Sequence, residues 1–146
     1  MITLADAKAL VAAAQKRAAE LDKPITVAVV DSGGFVVLIE RMEGARPLTP
    51  QIATAKAYTA AVMQRPTRML KGWADSEPVF FSQVARMGHH PIVATGGGFA
   101  LKRDGAIVGG IGISGGTGEE DETLADGAVT DCGYETDFSA FNRIAK

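Results

Sequence analysis

The stretch Asp104–Glu122, DGAIVGGIGISGGTGEEDE, decides how this chain folds. It reads as a turn, an apolar strand, a flexible loop and an acidic helix start. Within it Gly110, Gly112 and Gly115 spell G-x-G-x-x-G, the spacing that in dinucleotide-binding folds brings backbone against a pyrophosphate at a helix N-terminus. That fingerprint needs a complete strand before its first glycine. Here only Ala106, Ile107 and Val108 precede the glycines, which alternate with Ile111 and Ile113 as if they lay within the strand itself. Glycine inside a strand marks a bulge or the close approach of another backbone. The next residues, Thr117-Gly118-Glu119-Glu120, form a capping box in which Thr117 and Glu120 occupy the helix-start donors a phosphate would need. Glu119, Glu120, Asp121 and Glu122 also set negative charge on the positive end of the helix dipole and repel a second anion. The run predicts the last strand of a sheet and the start of a helix, not a nucleotide cradle.

Composition narrows the function classes. A chain of 146 residues is the size of one domain, and at that size roughly 70% of the unfolded surface is buried on folding. With 15 basic and 17 acidic residues the net charge is −2, and the positive residues are scattered, so neither nucleic acid nor an anionic membrane is an expected partner. The N-terminus MITLADAKAL lacks the basic flank and apolar centre of a signal peptide, and no apolar run approaches the roughly 18 residues of a membrane span. A cytoplasmic location is expected. The single cysteine, Cys132, permits no internal disulfide and no cysteine-built metal site.

Periodicity supplies the remaining elements. Thr3 precedes apolar residues at 4, 7, 11, 14, 18 and 21, one face of an amphipathic helix with Asp6 completing a capping box. Ile25 to Val30 and Phe35 to Glu40 are β-branched runs joined by Asp31-Ser32-Gly33-Gly34, a hairpin. Thr49 is expected to cap, and Pro50 to open, a helix ending before Pro66; Thr67 is expected to cap a short helix through Trp73. Ala74 to Pro91 reads as irregular, with at most one helical turn. Ile92 to Thr95, Phe99 to Arg103 and Ala106 to Ile113 are expected strands, the last two a hairpin through Asp104-Gly105. A helix from Thr117 to about Val129 follows, then a polar tail from Asp131 in which Tyr134, Phe138 and Phe141 are docking points. Strands joined by short turns imply an α+β domain with an antiparallel sheet, spanning 1–146 without a linker or repeat.

Five motifs occur in order along this framework: Val30-Asp31-Ser32-Gly33-Gly34, Arg41-Met42-Glu43-Gly44, Lys56-Ala57-Tyr58-Thr59-Ala60, Gly96-Gly97-Gly98 and Ile113-Ser114-Gly115-Gly116-Thr117. Together they resemble the landmarks of the GlcG/HbpS family, which includes the C-terminal domain of PduO-type proteins, over roughly residues 3 to 130. The resemblance implies a profilin-like α+β fold, a central antiparallel sheet flanked by helices, that assembles into dimers or higher homo-oligomers. It also implies haem as a cofactor to be tested, because some members bind haem, held in the PduO-type domain by a histidine on the first helix. The corresponding helix here reads Ala13-Ala14-Gln15-Lys16-Arg17-Ala18 and has no histidine. The tail beyond Asp131 extends past the family's usual end.

Haem iron needs an axial donor such as His, Cys, Met or Tyr, and the two histidines, His89 and His90, follow Arg86 and Gly88 far along the chain. Either is a candidate acid/base or metal ligand, since imidazole titrates near neutral pH. On an extended chain the two would point in opposite directions, so one at most would face a given pocket. Further metal donors, Glu120, Asp121 or Glu40, would have to be brought close by the fold. Arg41 and Lys56 form surface ion pairs with Glu40, Glu43 or the acidic helix start or, if they converge, fix a ligand carboxylate. Tyr58, Arg86, Gly97, Gly98 and Glu120 complete the candidate ligand-contact set, the glycines by letting a ligand or a neighbouring subunit come close to the sheet. Ser114 lacks the G-x-S-x-G context of a hydrolase nucleophile. The residues point to an oligomeric small-molecule-binding or accessory protein of a catabolic pathway, with a pocket between the glycine loops and the segment from Trp73 to Pro91, and a small organic acid or haem as ligand. The alternative is a cofactor-free or metal-assisted isomerase, lyase or hydrolase acting on a small carboxylated substrate with a histidine acid/base.

Overall fold

The computed structural model describes residues 1–140. In chain order the elements are α1 (Leu4–Glu20), β1 (Thr26–Asp31), β2 (Val36–Arg41), α2 (Thr49–Met63), a 3-10 turn (Thr67–Leu70), α3 (Lys71–Ser76), α4 (Pro78–Val84), β3 (Gly98–Arg103), β4 (Ala106–Ser114) and α5 (Gly118–Asp131). The strands form one antiparallel sheet in the order β2-β1-β4-β3. Helices cover both faces, the α+β architecture expected from the pattern. No helix among the described residues is long and apolar enough to cross a membrane.

Alternation along β1 and β4 sorts the two faces. Val27, Val29, Ile111 and Ile113 join Leu10, Val11 and Ala14 of α1 and Leu124, Ala125 and Ala128 of α5 in the main core. Both covering helices begin with the capping boxes read from sequence: Thr3 accepts from the Asp6 N–H and Thr117 from the Glu120 N–H, each acid bonding back to its partner's backbone N–H. Arg17 ties α1 to α5 through two 2.7 Å bonds to Asp131.

The other face is built from the smallest side chains. Ala28 and Val30 of β1 meet Ala53, Ala57 and Ala61 of α2. Beside them Gly112 pairs with Ala28 on one side and Gly98 on the other, and Gly110 pairs with Val30 and Ala100. A Cβ at Gly110 would overlap the carbonyl oxygen of Ala57, and one at Gly112 that of Ala53. The strand glycines of the opening stretch exist for this contact: they remove the layer of side chains that would hold α2 away from the sheet.

Several local expectations give way to tertiary contacts. Thr49 does not cap α2; its hydroxyl bonds the Arg46 carbonyl and the Thr26 hydroxyl, while Pro50 does lie in the first turn. Thr67 does not cap either, because its hydroxyl is spent on Thr95 and the Gly98 N–H. Ile92 to Thr95 is not a strand, since the Ile92 N–H goes to Ala85 and the Val93 N–H to the Thr59 hydroxyl. The segment expected to be irregular holds the end of α3 and all of α4. In the tail Tyr134 and Phe138 dock as expected, Phe138 edge-on to Phe99 at 5.6 Å; Phe141 lies outside the described residues.

Replacing Gly112 with Ala should cost at least about 2 kcal/mol, as overpacking of a dense core does, in reversible denaturant unfolding. Gly72→Ala, on α3 with nothing within 4 Å of the added carbon, should be neutral or stabilising by about 0.5–1 kcal/mol. Equal effects would mean that the α2 contact is not tight.

Candidate functional site

α2 fixes the groups on either side of it. Lys56 falls in the row 53, 56, 57, 60, which faces the sheet, so its side chain cannot reach solvent. Its ammonium lies 2.9 Å from Asp121 and 2.8 Å from the Ile113 carbonyl, with both side chains of the ion pair buried. Asp121 also accepts the Gly116 N–H at 2.9 Å. The pair pins the start of α5 to the end of β4. Gly97 completes the junction: its φ is +120°, and a Cβ there would stand 2.7 Å from the Lys56 ammonium and 2.8 Å from Asp121. Lys56 is thus an internal strut rather than a ligand anchor, and Gly97 and Gly98 pack inward. Glu120 is taken as well, by the Thr117 N–H and by Lys23 at 3.1 Å, and these partners hold its carboxyl below the usual glutamate range.

On the outer side of this junction lies a cleft of about 760 Å³ lined by Arg68, Lys71, Thr95, Gly96, Glu119 and Glu122, with Ala94, Gly118 and Thr123 between them. Arg68 and Lys71 come from the 3-10 turn and the start of α3; the Arg68 guanidinium reaches Glu122 in α5, while the Lys71 ammonium is paired with Asp75 of its own helix at 2.8 Å. Arg68 contacts Glu122 at 3.3 Å, and the Gly97 N–H reaches the same carboxyl at 3.4 Å. Both contacts are longer than a good charge-assisted bond. Burial pushes the Glu122 carboxyl above its ordinary value, with Arg68 and the Gly97 N–H opposing and Asp126 adding to the rise. The cleft therefore combines the Arg68 guanidinium, a half-buried carboxyl whose pKa burial raises, and a backbone wall at Gly96 and Gly118.

A second constellation lies where the loop after α4 crosses Tyr58. The chain bends at 87–90 instead of running extended, so His89 and His90 both turn toward Tyr58, at ring separations of 4.5 and 5.4 Å. The expectation that they diverge fails for that reason. His89 also stacks on Phe35 at 4.7 Å, with its Nε2 3.1 Å from the Gly34 carbonyl. Burial, with His89 alongside, lowers the pKa of His90. His90 borders an apolar groove of about 420 Å³ with Val36, Ile39, Pro50 and Pro91, and Arg86 lines a shallower pocket with both histidines. Arg41 is exposed at the end of edge strand β2 and lines neither the cleft nor these pockets.

The predicted residues therefore separate. His89, His90, Tyr58 and Arg86 come together, Lys56 and Gly97 form the internal junction, and Arg41 stands apart. The pocket expected between the glycine loops and the segment from Trp73 to Pro91 resolves into different sites: the cleft against α5 shares no lining residue with the two pockets at the histidines, which meet at His90 and Pro91. Sequence reasoning missed Arg68, Lys71 and Glu122. It named Lys56 as an ion-pair partner of the acidic helix start and Asp121 as a metal donor but expected a surface pair; that each charge sits in an apolar row, Asp121 with Leu124, Ala125 and Ala128, was the signal that the pair is buried.

The chain matches the family described as Haem degrading protein HbpS-like over residues 2–130. A Citrobacter freundii protein, described as an uncharacterized 15.0 kDa protein in the dhaT-dhaS intergenic region, is 34% identical over 131 residues, 90% of this chain and 91% of that one. The corrinoid adenosyltransferase PduO of Citrobacter freundii is 35% identical over 120 residues, 82% of this chain but only 36% of PduO. In three dimensions the crystal structure of the PduOC:heme complex is similar with a TM-score of 0.84 at 32% identity, covering 92% of this chain and 97% of that one.

Lys56→Met should cost about 3–5 kcal/mol in chemical denaturation, the cost of leaving a buried carboxylate unpaired. Adding Asp121→Asn, which can still accept from Gly116, should recover most of that loss; no recovery would mean that the ion pair is not what is lost. The Glu122 carboxyl binds its proton more tightly folded than unfolded, so as pH rises from about 4.5, its ordinary value, the folded state loses stability. Glu122→Gln should remove that decline from a stability–pH profile, and an unchanged profile would contradict the burial of this group.

Proposed function

This chain belongs to the Haem degrading protein HbpS-like family, and from that premise we propose that it is a small-molecule-binding accessory protein of a catabolic pathway. Its ligand is a small organic compound bearing a carboxylate, seated in the cleft against α5. The observation that carries this reading is Arg68 on the wall of that cleft, its guanidinium held by a long 3.3 Å contact to Glu122. A guanidinium holds a carboxylate through two parallel bonds, and Lys71, whose ammonium is paired with Asp75 at 2.8 Å, lines the same cleft. The long contact to Glu122 leaves the guanidinium able to exchange partners. A volume of about 760 Å³ falls in the range of small-ligand pockets. Glu119 and Glu122 on the same wall disfavour a polyanion and suit a ligand that carries a hydrogen-bond donor beside its carboxylate. Assembly into a homo-oligomer, in keeping with the family resemblance, belongs to the same proposal.

A haem seated in this cleft would find no axial donor, because none of the lining residues is His, Cys, Met or Tyr. The cleft residues fit the carboxylates of a ligand and not the iron of a haem. A tetrapyrrole is the second reading, favoured by one observation: His90, half-buried, borders the apolar groove of Val36, Ile39, Pro50 and Pro91. The enzymatic alternative is weakened because its acid/base candidates, His89 and His90, and the cations of the cleft line different pockets.

Calorimetric titration with acetate, succinate and benzoate should give saturable binding for at least one. Arg68→Ala should weaken it at least tenfold, about 1.4 kcal/mol. Binding indifferent to Arg68 would move the ligand out of this cleft. A saturable Soret shift with haemin that disappears in His90→Ala would replace the organic-acid reading with the tetrapyrrole.

A further inference from the structure

The histidine pair carries a second site with chemistry of its own. We propose that His89 and His90 together hold one divalent transition cation, of the Cu²⁺, Ni²⁺ or Zn²⁺ class, at the shallow pocket where the loop after α4 crosses Tyr58. Two imidazoles bound to one cation at about 2.0–2.1 Å, at angles between square and tetrahedral, have ring centres roughly 4.5–5.2 Å apart. The two rings stand 4.9 Å apart, inside that range.

The surroundings set the tautomer of His89 and crowd both rings. The Gly34 carbonyl can only accept, so the His89 nitrogen 3.1 Å away carries its proton there and Nδ1 is left with a lone pair. A metal-binding histidine typically gives its other N–H to a backbone carbonyl in this way, which sets both tautomer and ring orientation. Phe35, parallel to His89 within 12°, and Tyr58, edge-on to both rings, limit rotation further. Gly88 allows the loop to lie this low, since a Cβ there would overlap the Tyr58 hydroxyl. The pocket of about 220 Å³ around Gly88, His89 and His90 leaves room for a cation with waters.

The donor set defines the ion. Imidazole suits copper, nickel and zinc, whereas calcium and magnesium require oxygen ligands. Among the described residues no group of three or more His, Cys, Asp or Glu side chains is placed to share a metal, so two protein donors leave open coordination positions. Arg86, lining the same pocket, opposes the cation and holds the affinity below that of a dedicated structural site. The ordering expected for such a site is Cu²⁺ above Ni²⁺ and Zn²⁺.

The test is calorimetry of the full chain with Ni²⁺ and Cu²⁺, paired with electron paramagnetic resonance of the Cu²⁺ complex. Wild type should bind one equivalent, and the spectrum should report two imidazole nitrogens. His89→Ala and His90→Ala should each weaken binding at least tenfold and leave one imidazole nitrogen, and Mg²⁺ should not compete. His89→Gln serves if either alanine variant fails to fold. Wild type without a one-equivalent site, or either variant binding as wild type does, overturns the proposal. Neither outcome bears on the cleft at Arg68, which carboxylates probe separately.

Discussion

The height of α2 above the sheet is the constraint on which the rest of this structure depends. At Gly110 and Gly112 the helix backbone meets the strand backbone with no side chain between them, and alanines complete the contact from the helix side. Such packing gains little from any one side chain. It is sustained by dense dispersion contact over a flat interface and by the main core on the opposite face. The same helix carries Lys56 on its sheet side and Tyr58 toward the loop after α4. Raising α2 by the thickness of a methyl group would move both.

From that hub two arms extend. Lys56 reaches through the sheet edge to Asp121 and the Ile113 carbonyl, and so determines where α5 begins. The first turns of α5 then supply Glu119 and Glu122 to one wall of the cleft, opposite Arg68 and Lys71. Tyr58 supports the bend at 87–90 and directs both histidine rings to one place. The cleft and the histidine pocket are built from loops and helix ends, but their positions derive from a rigid scaffold beneath them.

This division explains what the sequence disclosed. Elements whose stabilising contacts are local were legible: both capping boxes, the hairpin through Asp31-Ser32-Gly33-Gly34, and the β3–β4 hairpin. The glycines of the opening stretch were legible as strand residues, since their alternation with Ile111 and Ile113 placed them inside β4. Elements whose partners are distant in sequence were misread. Thr49 and Thr67 look like caps, but their hydroxyls are claimed by Thr26 and by Thr95 with Gly98. Ile92 to Thr95 has strand composition, yet its donors are consumed by Ala85 and Thr59. The cleft was invisible for the same reason: Arg68 and Glu122 lie 54 positions apart, and no local pattern joins them.

The α2 packing closes the glycine strand and leaves the cleft at the α5 start open, the place proposed for the ligand. Amide chemical-shift mapping on uniformly labelled protein during carboxylate titration tests this most directly. Shifts should concentrate at Arg68, Lys71, Thr95, Gly96 and from Gly118 to Thr123, with Gly110 and Gly112 unmoved. Shifts centred on Gly110 and Gly112, or on Gly34 and Gly88, would contradict the account.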